Sequence, residues 1–90
     1  MAVVHFTSHL SKFFPGLREV NVEAVTVAEL VQRLDERHPG IASYLIEDHG
    51  GLRKHVNIFV NQNLIRDRKT LSDPLTDNAE VHILQALSGG

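Results

Sequence analysis

Apolar and polar positions alternate with the period of a strand through much of this chain, and one stretch switches to the period of a helix. In Ala2 to Thr7, Val4 and Phe6 fall on one face and Val3 and His5 on the other, as successive side chains of a strand must. "LREVNV" alternates with one irregular step and predicts a second strand from Leu17 to Val22. Between the two, "SHLSKFFPG" breaks the pattern with Ser, Pro and Gly and reads as a hairpin connection. "HVNIFVN" sets Val56, Ile58 and Val60 against Asn57, Phe59 and Asn61; "NQN" then turns the chain into a short strand, "LIR". The last run, "EVHILQAL", puts Val81 and Ile83 on one face and His82 and Leu84 on the other.

The helical stretch is "TVAELVQRLDERHPG". Val27, Leu30, Val31 and Leu34 stand at i, i+3, i+4 and i+7, a single apolar stripe. Thr26 with Glu29 three residues later forms a capping box, Arg33 and Arg37 complement the dipole near the far end, and Pro39-Gly40 stops the helix. A helix from Val27 to His38 is expected. "IASYLIED" predicts a short helical turn packing Ile41 and Leu45, and "RKTLSDPLTDNAE" is turn-rich, with Leu71 and Leu75 as core plugs. The order β–β–α–β–β–β predicts an α+β fold, with one main helix on one face of a mixed sheet of about five strands.

Ninety residues with 42% hydrophobic content form one small domain, a size that buries about 60–65% of its unfolded surface. The domain is expected over residues 1–85, with 86–90 an extended, flexible tail. A net charge of −2 with interspersed signs argues against a nucleic-acid surface. The absence of a run near the length of a bilayer span, and of a secretory leader, leads to the expectation of a cytoplasmic protein without a membrane partner; when free it is expected to be a monomer. Cysteine is absent, which excludes disulfides, thiolate metal sites and a sulfur nucleophile of the chain's own.

The residues do not assemble an internal active site. The six histidines lack HxH or HExxH spacing, so no metal site is expected; they read as surface or sheet-face residues, with His5 in the first strand and His82 in the last. No serine belongs to a recognisable nucleophile motif, and "DHGG" lacks the glycines and lysine of a phosphate loop. The chain is expected to bind no cofactor by itself and to be no enzyme.

What remains is the run "HILQALSGG" and the sheet face beside it. If Val81 and Ile83 face the helix, Phe59, His82 and Leu84 face outward and form a docking patch for a partner. From Ala86 the chain, extended, reaches about 17 Å to Gly90. A carboxylate there is inert until converted to a mixed anhydride, and an active site doing so must exclude water. Residues without side chains thread such a narrow channel most closely, so Leu87, Ser88 and Gly89 are expected to lead Gly90 into a partner enzyme.

"PLTDNAEVHIL" leading into "SGG" resembles the ubiquitin-like sulfur-carrier proteins of the ThiS/MoaD type. The family's habitual "PLxDGDEV" reads Pro74-Leu75-Thr76-Asp77-Asn78-Ala79-Glu80-Val81 here, with Asn78 in place of the turn glycine, a residue that also tolerates a left-handed conformation. "GGLRKHVNIFVN", continuing to Arg66, is most similar to carriers serving cysteine biosynthesis. The resemblance implies a β-grasp, ubiquitin-like fold and a Gly90 that an E1-like adenylyltransferase/sulfurtransferase activates with ATP and Mg and converts to a thiocarboxylate. It implies as further partners a sulfur-accepting, PLP-dependent enzyme of the cysteine-synthase kind and a metalloprotease that trims the tail. Two alternatives stay open: the small subunit of molybdopterin synthase, disfavoured by "QALS" before the glycines, and a ubiquitin-like modifier conjugated to lysines.

Overall fold

In a computed structural model of the chain, residues 1–7, 10, 14 and 16–85 are described. Five strands and two helices occur among them: β1 (Ala2–Phe6), β2 (Glu19–Val22), α1 (Val27–Arg37), α2 (Ile41–Leu45), β3 (Val56–Val60), β4 (Asn63–Leu64) and β5 (Glu80–Gln85). They form one sheet in the order β2-β1-β5-β3-β4. β5 runs parallel to β1 and antiparallel to β3, so the last strand in the chain lies at the centre of a mixed sheet. This is the expected α+β architecture, a β-grasp.

The periodicity of the sequence explains why the sheet closes as it does. Val4, Val22, Ile58, Val81 and Ile83 share the inner face and are almost wholly buried, as are Val27, Leu30, Val31 and Leu34 of the α1 stripe, and all belong to one core cluster. Burying each such side chain fully is worth about 1.5–3 kcal/mol, which outweighs the few tenths that local propensities contribute at single positions. α2 adds Ile41 and Leu45, while Leu71 and Leu75 seal the core from the turn-rich segment, as expected.

Thr26 caps α1, its Oγ1 accepting from the Glu29 N–H at 3.2 Å. The Glu29 carboxylate accepts from Val25 N–H at 2.8 Å, one residue earlier than a standard capping box predicts. Arg37 ends the helix and His38 is its C-cap; Gly40 then takes φ 97 to start α2, a left-handed position suited to glycine.

Several boundaries differ from the sequence pattern. β2 begins at Glu19 rather than Leu17, and β1 ends at Phe6. β4 is only Asn63–Leu64, with Ile65 turning into the core. The hairpin connection is more than a break, because Leu10 and Leu17 are buried at 0% and 1% exposure. Leu17 belongs to the alternating run "LREVNV", whereas Leu10 stands in "SHLSKFFPG", where the sequence shows no period that would assign it inward.

Among the described residues no helix is long and apolar enough to cross a membrane.

Candidate functional site

β5 governs the site because it places alternate side chains on opposite sides of the sheet. Val81 and Ile83 are fully buried beneath the helices, which turns Glu80, His82 and Leu84 to the outer face. The register then sets each outer residue beside specific neighbours. His5 pairs with His82 across β1 and β5, Phe59 pairs with His82 across β3 and β5, and Leu64 pairs with Phe59 across β4. With Glu19 opposite His5, one row crosses all five strands: Glu19, His5, His82, Phe59, Leu64.

The row grades from polar to apolar. At its polar end His5 Nδ1 lies 3.5 Å from Glu19 Oε1, and His5 Nε2 lies 3.6 Å from Glu80 Oε2. Nε2 is sealed from solvent without a hydrogen-bond partner; the Glu80 oxygen is at ion-pair distance but beyond hydrogen-bond reach. The imidazoles of His5 and His82 stack. At the apolar end, Leu64 is 50% exposed and Leu84, one row along, is 40% exposed. Phe59 is half-buried rather than open, because His82 and Leu64 flank it on the same face.

Of the residues singled out from the sequence, Phe59, His82 and Leu84 are therefore neighbours on one face. Leu87, Ser88, Gly89 and Gly90, with the whole 86–90 tail, lie outside the described residues. Leu64 escaped the sequence reading. Its signal was the spacing of Asn61 and Gln62: both have positive φ, 48 and 72, the signature of a two-residue type I′ hairpin. That turn closes Val60 on Asn63 and forces Leu64 opposite Phe59.

The segment that launches β5 is held by backbone hydrogen bonds. Asn78 adopts φ 60 at the position where the related motif has glycine. Asn61 bonds the strand start twice, its N–H donating to Glu80 O at 2.8 Å and its Oδ1 accepting from Glu80 N–H at 2.9 Å. Its amide nitrogen also donates to Thr76 Oγ1 at 3.2 Å. Earlier in the same loop Asp67 accepts from the hydroxyls and N–H groups of Ser72 and Thr70 and from the Lys69 N–H. The Ser72 and Thr70 hydroxyls first, then the backbone donors, hold its carboxyl well below the usual carboxylate range.

Toward the end of β5 the outer face becomes basic. Asn57 pairs with Leu84. The Arg68 guanidinium donates to Asn57 Oδ1 at 3.2 Å and to the Arg53 carbonyl at 2.8 Å, which fixes a cation beside the strand end. Among the described residues no group of three or more His, Cys, Asp or Glu side chains could hold a metal ion. Among the described residues the face offers recognition, acidic at Glu19 and Glu80, apolar at Phe59, Leu64 and Leu84 and basic at Arg68, and no nucleophile–base pair.

Comparison with known proteins places the chain in a family. A family model described as "ThiS family" matches residues 11–90. The sulfur carrier protein CysO of Mycobacterium tuberculosis is 30% identical over 77 residues, covering 83% of each chain. The Amycolatopsis orientalis BexX/CysO complex contains a chain similar to this one at a TM-score of 0.87, with 27% identity and 100% of both chains covered. Small archaeal modifier protein 1 of Methanosarcina acetivorans is similar at a TM-score of 0.80 and 25% identity, covering 99% of this chain and 95% of that one.

Proposed function

This chain belongs to the ThiS family, and from that premise we propose that it is a sulfur carrier, a protein co-substrate whose working group is the Gly90 carboxylate. A partner enzyme of the E1 kind, using ATP and Mg, adenylates that carboxylate with loss of pyrophosphate. A sulfide-equivalent nucleophile then attacks the acyl carbon and expels AMP, leaving a thiocarboxylate on Gly90. The chain contributes no thiol to these steps, since it contains no cysteine; both sulfur donor and acceptor are supplied from outside. Relatedness to CysO supports an acceptor of the cysteine-synthase kind, PLP-dependent, followed by a metalloprotease that trims the elongated tail.

The observation that carries this reading is the family match itself, which runs through residue 90 and so includes Gly89 and Gly90. The outer face gives the partner its purchase. We assign docking to Phe59, His82 and Leu84, with Leu64 extending the apolar area, and threading to Leu87, Ser88 and Gly89. That CysO is found in a complex with BexX supports a carrier that works by docking on another protein. The decisive measurement is intact mass after incubation with an active E1-like partner, ATP and a sulfur donor. A gain equal to replacing one oxygen by one sulfur, lost when Gly90 is deleted, is expected; an unchanged mass with a demonstrably active partner sinks the proposal.

The likeness to small archaeal modifier protein 1 favours a second reading, in which a lysine rather than sulfur attacks the adenylate and forms an isopeptide. Gly90-dependent lysine conjugates in the absence of a thiocarboxylate species distinguish it.

A further inference from the structure

A cavity of about 520 Å³ opens between β4 and the Asp73–Pro74 segment. Val60, Leu64, Ile65 and Pro74 supply its apolar lining, and Arg66 and Asp73 its charged groups. It adjoins the outer face but lies at the sheet's edge, away from the end of β5.

The edge has an open hydrogen-bonding position there. β3 and β4 are antiparallel with Val60 opposite Asn63, and Ile65 N–H donates to Ile58 O at 3.0 Å. Alternation in an antiparallel pair therefore turns the Leu64 N–H and C=O away from β3, toward the edge. The next outward-facing N–H, that of Arg66, is taken by the Asp73 carboxylate at 3.0 and 3.1 Å. Asp73 thus stands where a neighbouring strand's carbonyl would sit, and at Leu64 that place is open.

The charges favour one kind of occupant. Both Asp73 oxygens accept from Arg66 N–H and one also accepts from Asp67 N–H at 2.8 Å. The exposed Arg66 guanidinium has no hydrogen bond or ion pair among the described residues. A strand edge asks for main chain, the Val60, Leu64, Ile65 and Pro74 side of a mixed cavity for an apolar side chain, and a guanidinium unpaired among the described residues for a carboxylate.

We propose that this edge binds an extended peptide segment of a partner protein, pairing with Leu64, with an apolar side chain in the cavity and an acidic side chain on Arg66. The site stands apart from Gly90 chemistry and holds whether the tail carries sulfur or a lysine. Because β4 is two residues long, the added strand gains few main-chain bonds, and binding is weak and depends on the cavity and on Arg66.

The test is an NMR titration of the isotope-labelled full chain with an acetylated, amidated Thr-Val-Glu-Leu-Glu peptide. Saturable shifts at the Leu64, Ile65 and Arg66 amides and slowed exchange at the Leu64 N–H are expected. Glu-to-Gln changes in the peptide and Arg66→Gln in the protein each weaken binding about tenfold, the worth of one charge-assisted contact, and together cost no more than either alone. Arg66 is exposed, so its replacement leaves the fold intact for comparison. Lack of saturation at millimolar peptide, shifts centred on Phe59 and His82 instead, or equal binding by a backbone N-methylated peptide overturns the proposal.

Discussion

His5 and His82 stack across the parallel β1–β5 pair, with ring centroids 4.6 Å apart and planes 18° from parallel. The stack lies in the middle of the row across the outer face, between Glu19 and Phe59. Each carboxylate faces a different nitrogen of His5, yet both are largely solvated, at 62% and 63% side-chain exposure. Pairs of that kind couple by roughly 0.2–1 kcal/mol. A double-mutant cycle of His5→Ala with Glu19→Gln is therefore expected to show coupling below about 1 kcal/mol in thermal or denaturant unfolding. Coupling of several kcal/mol would mean that the pair is desolvated and central to the fold.

Phe59 carries the clearest separation of binding from folding. It faces outward in β3, outside the core cluster, but is half-buried by its row neighbours. Phe59→Asp is expected to weaken docking to the E1-like partner at least tenfold while costing about 1 kcal/mol of stability through lost cross-strand contact. Isothermal titration with the partner and a thermal melt of the free protein measure the two effects. A cost of about 3–5 kcal/mol, typical of core aromatics, would place its ring inward.

Gly90 is predicted to be dispensable for folding and indispensable for sulfur loading. The core cluster runs from Ala2 to Ile83, so deleting Gly90 leaves the melting temperature within about 1 °C of the parent while abolishing thiocarboxylate formation. Mass spectrometry and calorimetry on the same preparation check both halves.

Asp67 makes stability depend on acid. Its folded carboxyl titrates below the unfolded one, chiefly because Ser72 and Thr70 donate to the ionised form. The charged form is therefore favoured in the fold. The contribution is complete above the unfolded carboxylate value of about 4 and is lost as pH falls through the lowered folded value. Asp67→Asn should melt below the parent at neutral pH, with a gap that narrows on acidification below about pH 4. A gap independent of pH would show that the hydroxyls bond equally well to the neutral side chain.

How these features relate to the sequence differs from one to the next. The outward placement of His82 and Leu84 follows from strict alternation around Val81 and Ile83, and α1 from the Val27, Leu30, Val31, Leu34 stripe; both signals are local, so they survive without tertiary context. Leu10 carries no such signal, because "SHLSKFFPG" shows neither period in the sequence, and its burial is set by tertiary contact. The Asp67 cage was illegible for a similar reason, since its donors converge only when residues 67–72 fold back on one carboxylate. The reading of Gly90 as an activated carboxylate rests on the chemistry of a terminal Gly-Gly, and its expected sulfur loading on family resemblance, as no pattern of apolar spacing can encode it.

Gln62 is the weakest point in the register that assembles the apolar face. It holds φ 72 at the second position of the β3–β4 turn, a conformation that disfavours side chains bearing a Cβ. Asn61 at φ 48 tolerates the left-handed region better and bonds the start of β5. Glycine at the second position suits a type I′ turn. Gln62 is exposed and its side chain makes no hydrogen bond or ion pair among the described residues, so its loss removes no such interaction. Gln62→Gly is expected to stabilise the protein by about 0.5–1 kcal/mol, read as a rise of about 2–8 °C in melting temperature. Relief of strain in the folded turn must exceed the entropy that glycine adds to the unfolded chain. The same variant should retain the cross-strand proximity of Phe59 and Leu64 in nuclear Overhauser spectra. A fall in melting temperature would mean that the side chain at Gln62 contributes more than its backbone costs, and loss of the Phe59–Leu64 contact would break the assignment of Leu64 to the docking face.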